Sequence, residues 1–236
     1  MEKKLIIANW KENKTIAEAE QWTDGLNKEL RIKNEGSVEI IVCPPSILIP
    51  ILHSLFVIPN SPLRLGAQDV SKFEEGQHTG EVSAKMLKGF VDYVIVGHSE
   101  RRKYFGETDD DVKLKVEQCL KHNLIPIVCV SHLKQVSKCH SIKVSQMIFA
   151  YEPLFAVGSG KADTPESANE FAQKIKAEVG QDVRVLYGGS VTAENVKSFV
   201  EQPDINGVLV GEASLEAEEF AGIVKTIKQK NIRPAA

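Results

Sequence analysis

Residues 93–102 read Tyr93-Val94-Ile95-Val96-Gly97-His98-Ser99-Glu100-Arg101-Arg102. Four strand-forming residues without in/out alternation run into a glycine, a histidine and a burst of charge. Unbroken apolarity marks a parallel strand buried on both faces. The polar residues after it sit where such a strand would hand over to a loop and helix. Working outward, comparable runs lie at Leu5–Ala8, Glu39–Cys43, Leu63–Ala67, Ile125–Val130, Met147–Tyr151, Val183–Tyr187 and Gly207–Val210. That makes eight. Between them the apolar residues take helical spacing: Ile16, Ala19, Trp22, Leu26 and Leu30 on one face, and Val112, Leu114, Val116, Cys119 and Leu120 on another. Phe171, Ile175 and Val179 mark a third face, and Leu215, Phe220, Ile223, Val224 and Ile227 a fourth. Thr164-Pro165-Glu166 reads as an N-cap, an N1 proline and an early acid, and a further helix is expected to begin near Thr192.

Eight such units in 236 residues leave roughly 30 residues each, which suits a βα repeat. Two architectures share this alternation, a closed (β/α)8 barrel and an open doubly wound sheet. No linker or composition shift divides the chain, so a single domain over residues 1–236 is expected. The apolar fraction of 42% is that of an ordinary globular protein, and a net charge of −3 offers no field for nucleic acid. The most apolar stretch, Ile40 to Leu52, is broken by Pro44, Pro45 and Pro50 and cannot cross a membrane, and the N-terminus carries no signal peptide. Four cysteines in so long a chain make no disulfide framework, and a cytoplasmic setting is the expectation. Cys129-x-x-His132 and Cys139-His140 resemble metal-ligand pairs, but the adjacent Cys139-His140 has the wrong spacing for a structural zinc site, and no metal is expected.

In a barrel of this kind chemistry gathers where the strands end. Those ends carry Asn9-Trp10-Lys11, Gly97-His98-Ser99-Glu100, Glu152-Pro153, Gly188-Gly189-Ser190 and Gly211-Glu212. Two glycine turns after the last two strands suit a phosphate group, because glycine lets backbone amides approach an anion. Each alone would also serve as a plain tight connection. A carboxylate at the rim of an apolar barrel, as at Glu152, is partly desolvated and so becomes a stronger base. The segment Leu154 to Lys161 after it, apolar and glycine-rich, suits a closing lid. His98 before a helix could act as a neutral hydrogen-bond donor, and Lys11 could face an anionic substrate. Taken singly, a histidine is more often structural and a lysine merely solvated.

The order of these blocks resembles the triosephosphate isomerase family. Asn9-Trp10-Lys11, Gly66-Ala67-Gln68, Thr79-Gly80-Glu81, Gly97 to Arg102, Ala150-Tyr151-Glu152-Pro153, Tyr187 to Ser190 and Gly207 to Gly211 carry the likeness from the first strand to the last. The resemblance implies a (β/α)8 TIM barrel that interconverts dihydroxyacetone phosphate and glyceraldehyde 3-phosphate, in glycolysis and gluconeogenesis. It implies that Glu152 moves the proton between carbons, that His98 serves the two oxygens, and that Lys11 offsets charge while Asn9 positions the catalytic groups. Ser99 and Glu100 become supporting residues, and amides of Gly158, Ser190, Gly211 and Glu212 a phosphate cradle. A homodimer is implied, with Thr79 on the loop Gln68 to Glu81 reaching the partner. Isomerisation transfers no electrons between molecules, so no cofactor or metal is called for. Another phosphate-binding barrel isomerase or lyase and a catalytically idle barrel remain as alternatives.

Four departures from the family pattern stand out. Glu212 replaces a usual glycine, Phe155 a usual tryptophan beside the lid, and Asp69 a usual asparagine. After the fifth strand the family's Cys-x-Gly-Glu becomes Cys129-Val130-Ser131-His132, and only Ser131 to Gln146 remain before the sixth. That span has little room for two loops and a full outer helix, so a shortened or missing helix is expected there.

Overall fold

The computed structural model describes residues 3–30, 38–56, 63–139, 144–156, 158 and 160–228. Its strands are β1 (Lys4–Asn9), β2 (Val38–Cys43), β3 (Leu63–Ala67), β4 (Tyr93–Val96), β5 (Ile125–Val130), β6 (Ile148–Tyr151), β7 (Arg184–Tyr187) and β8 (Gly207–Val210). Every neighbouring pair is parallel, and β8 pairs with β1 from Leu5 opposite Gly207 to Ala8 opposite Val210. That last pairing closes the barrel and disposes of the open sheet. Gly207 is where closure is tightest. A Cβ there would lie 2.0 Å from the Leu5 carbonyl oxygen, so no other residue fits without moving β1.

The unbroken apolar runs follow from this closure. Alternate residues of one strand face two different cores. Leu5, Ile7, Ile41, Ile95, Ile127 and Leu186 belong to the inner set that fills the barrel. Ile6, Ala8, Ile40, Val94, Val128 and Val185 belong to the outer set that packs with the helices. Among the described strand positions only Arg64, in β3, is exposed to solvent.

The outer layer consists of α1 (Ile16–Leu30), α2 (Ile49–Phe56), α3 (Ala84–Leu87), α4 (Ser99–Phe105), α5 (Asp109–Lys121), α6 (Leu133–Ser137), α7 (Pro165–Val179), α8 (Val196–Val200) and α9 (Ala217–Lys228). The expected cap of α7 is present: Thr164 Oγ1 accepts from the Ser167 N–H at 3.2 Å, with Pro165 at the first helical position. Three expectations need correction. The helix placed near Thr192 begins at Val196, because the Thr192 N–H donates to Asn195 Oδ1 and Asn195 donates to the Ser190 carbonyl, which builds a turn first. Leu114 is 44% exposed; the buried stripe of α5 runs through Val112, Val116 and Cys119, and Leu114 falls outside it. Ile16, at the first position of α1, is also exposed. The short connection between β5 and β6 holds only the five-residue α6 and a single turn at Val144–Gln146 among its described residues, as its length predicts.

Candidate active site

The C-terminal ends of the strands surround a cavity of about 370 Å³. Asn9, Lys11, His98 and Glu152 line it, as do Gly158, Ser190, Gly211 and Glu212. Eight residues from five strand ends and one loop therefore share a single space.

Lys11 follows β1 in the left-handed region, with φ 53°. Such a backbone costs a non-glycine residue about 1–3 kcal/mol and persists only where its surroundings hold it. Here Asn9 Oδ1 accepts from the Lys11 N–H at 3.2 Å, and Gln68 Nε2 donates to the Lys11 carbonyl at 2.8 Å. The preceding Trp10 is fully buried, edge-on to Trp22 at 4.8 Å. The ammonium is thus delivered into the cavity, where Nζ meets Glu100 Oε1 at 2.6 Å. Glu100 reaches Lys11 from the first turn of α4.

His98 caps α4. Its Nδ1 accepts from the Glu100 N–H at 3.3 Å, so that nitrogen carries a lone pair. The proton of a neutral ring then sits on Nε2, which lies 3.0 Å from Glu152 Oε1. Glu152 is only 1% exposed at the end of β6. Its Oε2 accepts from the Ser99 N–H at 2.9 Å, so Ser99 acts through its backbone, and its buried hydroxyl has no hydrogen-bond partner among the described residues. No described donor is aligned on Oε1 either. Beneath it, burial and then the Glu152 carboxylate push the Cys129 thiol well above its usual range, which keeps it neutral.

The lid segment is tied on both sides to the end of β7 and the turn after it. Ser190 Oγ donates to the Ala156 carbonyl at 2.8 Å, and the Asp163 N–H donates to Tyr187 Oη at 2.9 Å. Burial pushes the Tyr187 phenol up to about 12, so it stays protonated and can accept this bond. Gly189 makes room for it: a Cβ there would sit 2.2 Å from Tyr187 Oη. Gly158, with φ 63°, presents its backbone to the cavity from the lid, while residues 157 and 159 lie outside the described residues.

Thr79 is not among the residues lining this cavity. It is exposed on the long loop after β3, beside a second cavity of about 360 Å³ that Lys11, Gln68, Gly80 and Arg101 help to line. Sequence reading missed the charge cluster at the root of that loop. Lys115 Nζ bridges Asp69, at 2.6 and 2.8 Å, and Glu107, while Arg101 Nε lies 2.9 Å from Asp69 Oδ2. The aspartate at position 69, in place of the family's usual asparagine, was its one visible signal.

A family model describing triosephosphate isomerase matches residues 4–227. The chain belongs to the triosephosphate isomerase family. It is 40% identical over 240 residues to the triosephosphate isomerase of Mesomycoplasma hyorhinis, covering 93% of this chain and 97% of that one. The triosephosphate isomerase of Dictyoglomus turgidum is 39% identical, over 96% of this chain and all of its own. That of Clostridium botulinum strain Loch Maree is also 39% identical, over 93% and 98%. Membership makes the chain an isomerase of triose phosphates, and the shortened wall at α6 leaves that assignment untouched. No described helix is long and apolar enough to cross a membrane.

Proposed function

We infer that this chain, as one barrel domain, interconverts dihydroxyacetone phosphate and D-glyceraldehyde 3-phosphate through an enediolate, in glycolysis and gluconeogenesis. The observation that carries the assignment of roles is the convergence of Lys11, His98 and Glu152 from three strands on one cavity, with Glu152 Oε1 3.0 Å from His98 Nε2. Glu152 takes a proton from one carbon and returns it to the neighbouring one. His98 donates from Nε2 to the oxygen on which charge develops and recovers a proton from the other oxygen. The Lys11 ammonium offsets the negative charge of substrate and enediolate, and Asn9 keeps it in place through the Lys11 amide. Glu100 holds Lys11, and Ser99 holds Glu152. Amides at Gly158, Ser190, Gly211 and Glu212 receive the phosphate. The proton begins and ends on carbon, so no electron carrier or metal takes part. An enediol phosphate can expel its phosphate in water, which gives a lid that excludes water its purpose.

The working unit is a homodimer in the cytoplasm. Exposed apolar side chains support a second copy as the partner: Ile47 (76% exposed) follows Ser46 of the second cavity, Met86 precedes Leu87 of it, and Phe105 (72%) lies under Arg101. Thr79 of one copy then reaches the Lys11 side of the other. Coupled turnover assays on the wild type and Glu152→Asp test the chemistry. A shortened carboxylate displaces the base by about 1 Å, so kcat is expected to fall about 10²-fold or more with KM within a few-fold. A folded wild type inactive on both triose phosphates overturns these catalytic roles. Sedimentation tests the assembly, where a monomer at all concentrations overturns the part assigned to Thr79.

A further inference from the structure

The phosphate end of the cavity is short of positive charge. Of the described residues lining it, Lys11 is the one cation, and its ammonium is already matched by Glu100 at 2.6 Å. Three carboxylates line the same space: Glu152, Glu212 and Glu219. Glu152 sits at the opposite task, buried against His98 and Ser99. Glu212 and Glu219 are exposed, come from the turn after β8 and the first turn of α9, and have no described cation or donor on their carboxylates. The Lys11 ammonium lies close to this turn, since a Cβ on Gly211 would be 3.7 Å from Nζ. Yet the residue next to Gly211 brings a negative charge to the same place.

We propose that Glu212 sets the affinity of this enzyme for phosphate-bearing ligands, by opposing a dianion whose site its own backbone helps to form. The inference rests on the proposed phosphate position at Ser190, Gly211 and Glu212. It does not depend on which rotamer the side chain takes. A glutamate is shorter than the Debye length of about 8 Å at physiological salt, so its carboxylate acts on an anion held at its own amide from any rotamer. Glu219 adds to the same field from behind. The consequence is a site that releases triose phosphate readily and ignores inorganic phosphate at concentrations that would otherwise block it. Repulsion between a carboxylate and a dianion across a wet cavity is worth about three- to tenfold in binding.

Glu212→Gln removes the charge and keeps the backbone amide. The expected result is a KM for glyceraldehyde 3-phosphate and an inhibition constant for inorganic phosphate that both fall by the same three- to tenfold, with a smaller change in kcat. The gain should shrink as salt is raised, and Glu212→Asp, which retains the charge, should not produce it. Glyceraldehyde without its phosphate should show no such gain, because a neutral substrate gives the carboxylate nothing to repel. Competitive phosphate with an inhibition constant unmoved by Glu212→Gln overturns the proposal and leaves the phosphate site standing. Phosphate that does not compete with substrate at all overturns the placement of that site instead. An equal gain for glyceraldehyde and its phosphate would show a change of shape rather than charge, and likewise overturns the proposal.

Discussion

The loops after β3 and β6 occupy equivalent places on one barrel, and they are built in opposite ways. The β3 loop is bound to the wall by charge: Lys115 holds Asp69, Lys72 pairs with Asp111 at 2.5 Å, Glu74 with Lys121 at 2.7 Å and Glu75 with Lys85 at 2.8 Å. The β6 loop carries hinges of its own. Its described residues carry positive φ at Gly158 and Gly160, expose Leu154 and Phe155, and are tied through neutral hydrogen bonds at Ala156 and Asp163. A loop that presents a surface to a second copy gains from being rigid before it binds. One that admits substrate and then excludes water must exchange its contacts readily, and neutral bonds to a tyrosine and a serine can be exchanged.

The sharpest way to break this contrast is at Lys115, which is buried with Glu107 and pairs with the half-buried Asp69. Lys115→Met strands two carboxylates on Arg101 alone and is expected to lower unfolding stability by about 3–5 kcal/mol in urea titrations. A loss below about 1 kcal/mol would mean that the β3 loop is held by its surface pairs. For the β6 loop, Gly189→Ala in the neighbouring turn after β7 drives a methyl group into Tyr187 and disturbs its bond to Asp163. A fall in kcat/KM of about 10- to 100-fold is expected, beside an overpacking loss of about 1–3 kcal/mol in urea titrations. An unchanged kcat/KM in the folded variant would make Gly189 a packing residue alone. The smallest effect belongs to Asp111→Asn. Lys72, and then Thr108, hold the Asp111 carboxyl well below the usual carboxylate range. A depressed value favours the folded state above the ordinary carboxylate range and loses that contribution as pH falls through the folded value. The variant should therefore lose about 1–3 °C in Tm near pH 7 and converge on the wild type in acid. A gap that widens in acid would reverse the sign.

Much of the barrel was legible because each βα unit writes itself locally. Every expected strand lies within one residue of the observed one, since a strand packed on both faces has few polar positions to blur its ends. The helix misplaced at Thr192 shows the limit: Asn195 diverts the local amides into a turn, a choice between two hydrogen-bonding schemes that the residues alone leave open. Within the site, residue types at strand ends pointed to Lys11, His98 and Glu152, but not to the turn of Glu152 back onto Ser99 and His98. The cluster of Asp69, Arg101, Glu107 and Lys115 stayed hidden for a different reason. Asp69 and Lys115 are 46 residues apart in the chain, and each member alone reads as a surface charge. Only the meeting of the β3 loop with α4 and α5 brings them together.

The five-residue α6 has a meaning for how this scaffold can be cut. The lining groups come from the ends of β1, β4, β6, β7 and β8, and β5 sends none of its described loop into the cavity. The wall between β5 and β6 is thus a sector whose length is uncoupled from the rim. There the chain could be opened to create new termini, or made to carry a grafted peptide, without touching the reacting groups. In that sector the barrel's wall and its chemistry part.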